Sequence, residues 1–299
     1  MKKVKLIVTG KLEHEALKGT LECAMLGGVA APPRVINALP AEVSEPASRP
    51  PGRGSRTNAN MLKLANQVVK LMLGLGVDPV PEDTLLLIIG DVEMYYLDQP
   101  HELTISFQES MNVVAADRSE EDQLLLRGAL GTRCSYHLFR PMVEATFFGD
   151  AQALRRAGVG TANRPQLKHA DVEEFECDDL AWLPFCTNEN DRKAAMGHDW
   201  WRHERHAKEY LIHLADSRRG GLGYSTNRGI TALSRLDFPT VVNSQPSPYL
   251  RALFDDLADW LGVPNPLGPT NPLLPRPPTA LCTDPGRLLR NIPTPPPSP

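Results

Sequence analysis

The sequence has few cysteines and no long apolar stretch. Its 299 residues include five scattered cysteines without a Cys-x-x-Cys pair, which argues against a zinc site of the usual spacing and favours a reducing, intracellular compartment. No apolar run approaches the ~20 residues of a membrane span, and the run that follows the first lysines is too short for a signal peptide. We therefore expect a soluble, cytoplasmic protein that does not enter a membrane.

Strong net charge and the common nucleotide and hydrolase motifs are also missing. The net charge of −4 and the isoelectric point near 6.1 argue against a surface that coats nucleic acid as a whole, although they allow a local basic groove or a metal-bridged phosphate contact. The glycine turn at 220–223 lacks the Lys-Ser/Thr pair of a P-loop, and no Gly-x-Ser-x-Gly motif occurs. ATP binding at this turn and a serine nucleophile are therefore not indicated.

Proline, in contrast, is abundant and unevenly placed. The chain has 28 prolines, and from Val263 to Pro299 they recur every few residues, which predicts a disordered tail at 263–299 with no core of its own. Residues 40–57 are rich in Pro, Gly, Ser and Arg, which is typical of a flexible, basic insertion. The remaining sequence, at 1–262, predicts a single α/β domain.

Two short apolar runs organise this domain. Val4 to Val8 and Leu85 to Ile89 have the composition of buried strands, and a glycine follows each run within two residues. Amphipathic patterns at 13–26 and 58–74 predict helices between them. Because continuous apolar strands between helices are typical of a parallel sheet covered on both faces, we predict a mainly parallel central sheet with helices on both faces.

The second half of the domain gives less regular patterns. Residues 101–115 allow no clear assignment, and 157–200 are predicted to be irregular. Capping residues and apolar periodicity predict four further features: a helix from Ser119 to about Gly131, a strand at Cys134–Leu138, two helical pieces at 140–154 and a helix from Ser247 to Leu261.

Acidic side chains follow both apolar strands. Glu13 comes after the first strand, and Asp91 and Glu93 come after the second. If the strands are neighbours, these carboxylates meet at the carboxyl edge of the sheet, where open α/β sheets bind ligands. Clustered carboxylates are what Mg²⁺ requires. The alternative is that Glu13 is an ordinary first-turn acid favoured by the helix dipole and that Asp91 is a turn residue.

These motifs, in this order, resemble the Toprim family. In that family a strand leads into a Glu-Gly turn with a second acid four residues after the Glu, and a later strand ends in Asp-x-Asp. Val8 to Glu13 and Gly90 to Glu93 stand at these places. Three further segments resemble Toprim-like bacterial proteins related to the nuclease domain of OLD-family proteins, and the likeness covers most of residues 1–262: Val143 to Asp150, His206 to Leu211 and Leu250 to Leu261.

The resemblance implies a nuclease that depends on Mg²⁺ (or Mn²⁺) and cleaves phosphodiesters in DNA or RNA. Such proteins are often encoded beside ATPases in anti-phage defence loci, so it also implies antiviral defence with an ATPase partner. The residues it assigns are Glu13, Asp91 and Glu93 as metal ligands and catalytic acids, Glu144 as a further catalytic acid, and Lys11 and Lys208 as phosphate contacts.

One position departs from the family pattern. Thr9 stands where the family carries its first catalytic glutamate, and a hydroxyl cannot replace a carboxylate as metal ligand or general acid. Glu93 also stands where aspartate is usual. Two interpretations follow: Glu13 takes over the acidic role, or the chain is a catalytically silent Toprim-like subunit that binds a partner protein or a nucleotide. The oligomeric state stays open.

Histidines and aromatic residues are concentrated at 198–206. The segment lacks the His-Glu-x-x-His spacing of the zinc-protease helix, which favours a basic-aromatic segment over a zinc site. With the Toprim resemblance, His206 or Lys208 would line the same cleft as a phosphate contact.

Overall fold

The structure is a computed structural model, and it describes most of the chain. Parts of the predicted 40–57 insertion, including Arg49 and Arg53, and parts of the predicted 263–299 tail lie outside the described residues. The described ranges are 2–26, 36–40 (backbone only), 48, 50–51, 55–243, 245–269, 273, 276–284 and 287–293.

Four parallel strands form the central sheet in the order β2-β1-β3-β4. Val8 lies opposite Ile89, so β1 and β3 reach the carboxyl edge of the sheet together. The predicted pairing of the two apolar strands is therefore confirmed. The strand bounds are β1 Lys3–Val8, β2 Ile36–Pro40, β3 Thr84–Asp91 and β4 Cys134–Phe139.

Strand side chains alternate between two hydrophobic cores, one on each face of the sheet. On β3, Leu85, Leu87 and Ile89 belong to one core, and Leu86 and Ile88 belong to the other. Successive residues of a strand point to opposite faces, so an uninterrupted apolar strand must be covered twice. This is why the apolar runs predict helices on both faces, and the structure confirms that arrangement.

Ten α-helices lie in the described residues. Helices α2 to α4 pack on one face of the sheet, and α1, α5 and α7 to α10 contribute to the core on the other face. No helix in the described part of the chain is long and apolar enough to cross a membrane. The helix bounds are α1 Lys11–Leu26, α2 Ala59–Leu73, α3 Pro100–Ala116, α4 Glu120–Arg133, α5 Ala151–Arg156, α6 Leu183–Ala195, α7 Ala207–Leu214, α8 Thr226–Leu233, α9 Phe238–Val242 and α10 Pro248–Leu261.

Two of these helices have no clear signal in the sequence. Helix α3 buries Thr104, Ser106 and Gln108 beside its apolar residues, so its inner face does not read as an apolar stripe. Helix α6 buries only Cys186, and the prediction of irregular structure across 157–200 is wrong for this segment. Both helices are set by tertiary packing, which overrides weak local periodicity.

The segment at 287–293 differs from the predicted tail without a core. Leu289 and Ile292 are fully buried. The Arg290 N–H donates to the Cys134 carbonyl at 2.9 Å, and the Asn291 amide oxygen accepts from the Tyr136 N–H at 3.0 Å. Because β4 is the last strand of the sheet, its free edge presents unpaired backbone groups, and this segment covers them.

The strand order creates a crevice between β1 and β3. The chain leaves β1 towards β2 on one side and leaves β3 towards β4 on the other side. At such a switch point the two connections diverge, and ligands of open α/β sheets bind in the crevice outside the carboxyl ends.

Candidate active site

The carboxyl ends of β1 and β3 open into a cleft of about 420 Å³. It lies at the switch point of the sheet, and its walls come from the turns after both strands and from the segments before α7 and α8. The residues that line it are Thr9, Gly10, Lys11, Leu12, Glu13, Asp91, Glu93, Met142, Val143, Glu144, His206, Lys208, Glu209, Tyr224 and Thr226.

Glu13 lies in the first turn of α1, and its side chain folds back over Gly10. A Cβ atom on residue 10 would come within 2.7 Å of the Glu13 carboxyl carbon, so only glycine leaves room for this position. The side chain is 5% exposed. Gly10 therefore has a second role besides the turn, because its missing side chain leaves the space in which the Glu13 carboxyl is buried.

The variant Gly10→Ala tests this placement. The methyl group occupies the position of the Glu13 carboxyl, so Glu13 must rotate towards water. We expect its pKa to fall from about 7 towards its ordinary value, by about one unit or more. The measurement is a ¹³C carboxyl titration by NMR, in which the Glu13 signal is assigned by its loss in Glu13→Gln.

Gly19→Ala is the matched control for this variant. Gly19 lies within the same helix, and a Cβ there would meet no atom within 4 Å. We expect it to raise the free energy of unfolding by up to about 1 kcal/mol and to leave the Glu13 pKa unchanged. If the titration midpoint of Glu13 stays near pH 7 in Gly10→Ala, the close approach of the Glu13 carboxyl to Gly10 is contradicted.

Asp91 and Glu93 are fixed by backbone hydrogen bonds beyond the end of β3. The Val143 N–H donates to Asp91 Oδ1 at 3.0 Å, which ties β3 to the 3₁₀ helix at Val143–Gly149. The Glu93 N–H donates to the Pro141 carbonyl at 2.9 Å. Glu93 has a φ of 59°, a left-handed conformation that costs a non-glycine residue about 1 kcal/mol or more. The surrounding backbone therefore holds Glu93 in a strained conformation, in which its side chain lines the cleft.

The strain predicts a stability difference between two variants of Glu93. Both Glu93→Gly and Glu93→Ala remove the carboxylate, but only glycine adopts a positive φ without cost. We expect Glu93→Gly to be more stable than Glu93→Ala by about 1 kcal/mol, or about 2 °C in the melting temperature. Differential scanning calorimetry of the two proteins measures this difference. Equal stability, or a more stable alanine variant, would show that residue 93 is not strained.

Glu144 is the fourth acid of this group, and its carboxylate contacts two polar side chains. It lies in the first turn of the 3₁₀ helix and is 6% exposed. The Tyr224 hydroxyl donates to its Oε1 at 3.2 Å, and Lys208 Nζ lies 3.6 Å from the same oxygen. Since Lys208 begins α7 and Tyr224 precedes α8, these contacts join three elements around one carboxylate.

Burial and mutual repulsion raise the pKa values of the other three acids. Burial is the main cause of the rise in the Glu13 pKa to about 7, and the charge of Glu144 adds to it. The Glu93 pKa rises to about 7 for the same two reasons. The Asp91 pKa lies well above its ordinary value through burial and the charges of Glu13, Glu93 and Glu144. Lys208 opposes the rise at Glu13 and Glu93.

Several carboxylates that share a site cannot all ionise without cost. Their hard oxygens fit Mg²⁺ or Mn²⁺ in chemistry, and a cation would relieve their repulsion. Among the described residues, however, no group of three His, Cys, Asp or Glu side chains stands ready to hold a metal ion. The donor set fits a divalent cation, and its side chains must rearrange to bind one. The same observation gives the zinc interpretation of 198–206 no support.

The structure brings all the predicted site residues to one cleft. Glu13, Asp91, Glu93, Glu144, Lys11 and Lys208 all line it, and their chemical roles stay predictions. Thr9 lines it as well, so the position of the missing family glutamate faces the acids. Tyr224 was not predicted, because its contact with Glu144 spans 80 residues and no local pattern marks it.

Comparisons of this chain with protein-family models, with curated proteins and with solved structures find no match. The resemblance to Toprim proteins therefore depends on the sequence motifs alone.

Proposed function

We propose that the protein is a Toprim-like, metal-dependent phosphodiesterase that cleaves nucleic acid. The observation that carries this proposal is the set of four mutually interacting carboxylates, those of Glu13, Asp91, Glu93 and Glu144, which share one cleft at the switch point of a parallel sheet. Glu209 lines the same cleft as a fifth acid. Burying acids together raises their pKa values and opposes folding, and such clusters are characteristic of functional sites. Divalent cations are the ligands that best compensate this charge.

Each residue of the cleft has a defined part in this proposal. Glu13, Asp91 and Glu93 hold Mg²⁺ or Mn²⁺, which when bound polarises the phosphodiester and lowers the pKa of the attacking water. Glu144 exchanges a proton with the water or the leaving oxygen, since a buried acid within reach of the reacting groups can act as general base or acid. Lys11 and Lys208 contact the phosphate of the substrate.

Glu13 replaces the family glutamate in this account. Thr9 supplies no carboxylate at the end of β1, and Glu13 is the acid that the first turn of α1 returns to the same cleft. The resemblance extends the proposal to antiviral defence beside an ATPase partner, which would supply the nucleotide hydrolysis that no P-loop provides here.

Cleavage of labelled DNA and RNA by the full chain tests the proposal. We expect cleavage with Mn²⁺ or Mg²⁺ and none with EDTA. Cleavage that persists in EDTA would overturn the metal dependence. A wild-type chain that binds the metal without cleaving any nucleic acid would overturn the assignment as an enzyme.

One observation favours the second candidate, a catalytically silent subunit that binds a partner protein or a nucleotide. Lys208 already pairs with Glu144 at 3.6 Å, so part of the cleft charge is compensated without a metal. This candidate predicts that neither Mn²⁺ nor Mg²⁺ raises the melting temperature, whereas a cation bound to the folded state must raise it.

A further inference from the structure

Four aromatic side chains form a continuous row beside the acidic cleft. They are Tyr95, Trp200, Trp201 and His206, which we call the aromatic track. The successive ring centroids are 5.3, 5.8 and 5.3 Å apart. His206 lines the acidic cleft, and Tyr95 lies in the same turn as Glu93. The track therefore runs from His206 in the cleft lining to Tyr95 in the turn that carries Glu93.

The rings of the track are not fully buried. Tyr95 is 36% exposed, and the two tryptophans and His206 are half-buried. At its far end, Tyr95 and Trp200 line a second cavity of about 420 Å³ together with Arg56. Large aromatic groups that share an exposed surface mark binding sites more often than isolated ones do.

Positive charge accompanies the track. Lys193 Nζ lies 4.4 Å above the Trp201 ring, and the Arg202 guanidinium donates to the backbone carbonyls of Asp199 and Trp201. Arg56 is at the far cavity and pairs with Glu109 at 3.2 Å. Rings with cations beside them are typical of sites that stack bases while tracking the phosphate backbone. Asp98 and Glu102 also line the far cavity.

From these observations we propose that the aromatic track binds single-stranded nucleic acid and leads it into the acidic cleft. The inference deepens the proposed function and rests on it for the fate of the bound strand. Neighbouring nucleotides of a duplex strand are about 3.4 Å apart along the axis, whereas the rings are 5.3–5.8 Å apart. Bases that stack on successive rings must therefore be unstacked from each other, which an extended single strand permits and a duplex does not.

The relative tilt of the rings agrees with this requirement. Tyr95 and Trp200 meet edge to face at 87°, and Trp200 and Trp201 meet at 60°. Successive rings are not parallel, so bases that stack on two of them are not parallel to each other either. Since every base has an aromatic face, the track selects for strand state more than for sequence.

Binding in EDTA tests the inference apart from cleavage. The probe is a fluorescein-labelled oligothymidine about 12 nucleotides long, a length within the range of single-strand sites, and its anisotropy is followed with the full chain. We expect Trp200→Ala to weaken binding about tenfold, because stacking on one ring contributes on that scale, and Trp200→Phe to retain most of the affinity. The matched control is Leu124→Ala, which truncates a side chain that is 73% exposed on α4.

Three results would overturn the inference. The first is equal binding of the oligothymidine by Trp200→Ala and Leu124→Ala, and the second is equal or tighter binding of a duplex by the wild type. The third is no oligonucleotide binding together with a wild-type self-association that Trp200→Ala abolishes, which would make the track a protein interface. A chain that binds the single strand through the track but never cleaves it would contradict the proposed function and leave the inference intact.

Discussion

The variant Asp91→Asn is expected to lose metal-dependent cleavage while gaining stability. Asparagine keeps the shape of the side chain, and its amide oxygen can still accept the Val143 N–H that Asp91 accepts at 3.0 Å. The change removes one negative charge that Glu13, Glu93 and Glu144 repel. We expect cleavage to fall at least about a hundredfold, as when one group that stabilises transition-state charge is removed. At pH 8 we expect the free energy of unfolding to rise by about 1 kcal/mol.

Asp171→Asn is the control for this variant. Asp171 is also buried, but it accepts from the Ser247 N–H and hydroxyl, both at 2.8 Å, and lies outside the cleft lining. We expect Asp171→Asn to lower the free energy of unfolding and to leave the cleavage rate of the folded protein unchanged. An Asp91→Asn protein that cleaves at the wild-type rate contradicts the assignment of Asp91. If Asp91→Asn loses both stability and activity, the Asp91 carboxylate has a structural role instead.

The second large effect is a fall in stability as the pH rises. Glu13 and Glu93 have ordinary pKa values of 4.5 and folded-state values of about 7. A raised folded-state pKa means that the folded protein binds the proton more tightly than the unfolded chain does. The stabilisation is therefore complete below pH 4.5 and is lost as the pH rises through 7. Between pH 5 and 8 we expect the free energy of unfolding to fall by about 5 kcal/mol from these two groups together.

Urea unfolding across this range measures the effect, with the double variant Glu13→Gln, Glu93→Gln as reference. The reference is needed because burial lowers the pKa of His206 to about 4, which destabilises the protein below pH 6.5 and acts in the opposite direction. The wild type minus the variant isolates the two glutamates. Parallel pH profiles for the two proteins would show that neither glutamate has a raised pKa.

The central sheet and the site both follow from short-range patterns in the sequence. Leu85 to Ile89 is apolar on both faces, and Val4 to Val8 is apolar except at Lys5, so both strands must be covered twice and their carboxyl ends meet at one edge. That common edge brings Asp91 near Glu13 although they are far apart in the chain. Glu144 and Lys208 were placed by the family resemblance, and the structure puts them in the same cleft.

Other features depend on contacts that no local pattern records. The inner face of α3 is partly polar, and the Gln108 amide donates there to the Pro293 carbonyl, a tertiary contact 185 residues away in the chain. The segment at 287–293 has the composition of a tail, yet the free edge of β4 offers it backbone partners. The composition of 287–293 predicts no structure for the segment by itself, but the unpaired edge of β4 supplies hydrogen-bond partners that order it.

The most direct test of the cation site is a calorimetric titration with Mn²⁺ at pH 7 in buffers of different ionisation enthalpy. Glu13 and Glu93 are about half protonated at that pH, and a cation must displace those protons to bind. We expect the binding enthalpy to depend on the buffer with a slope of about one proton released per ion. The release should be lost when Glu13 and Glu93 are both replaced by glutamine. No Mn²⁺ binding, or binding without proton release, would contradict the assignment of the four-carboxylate cleft as a metal site.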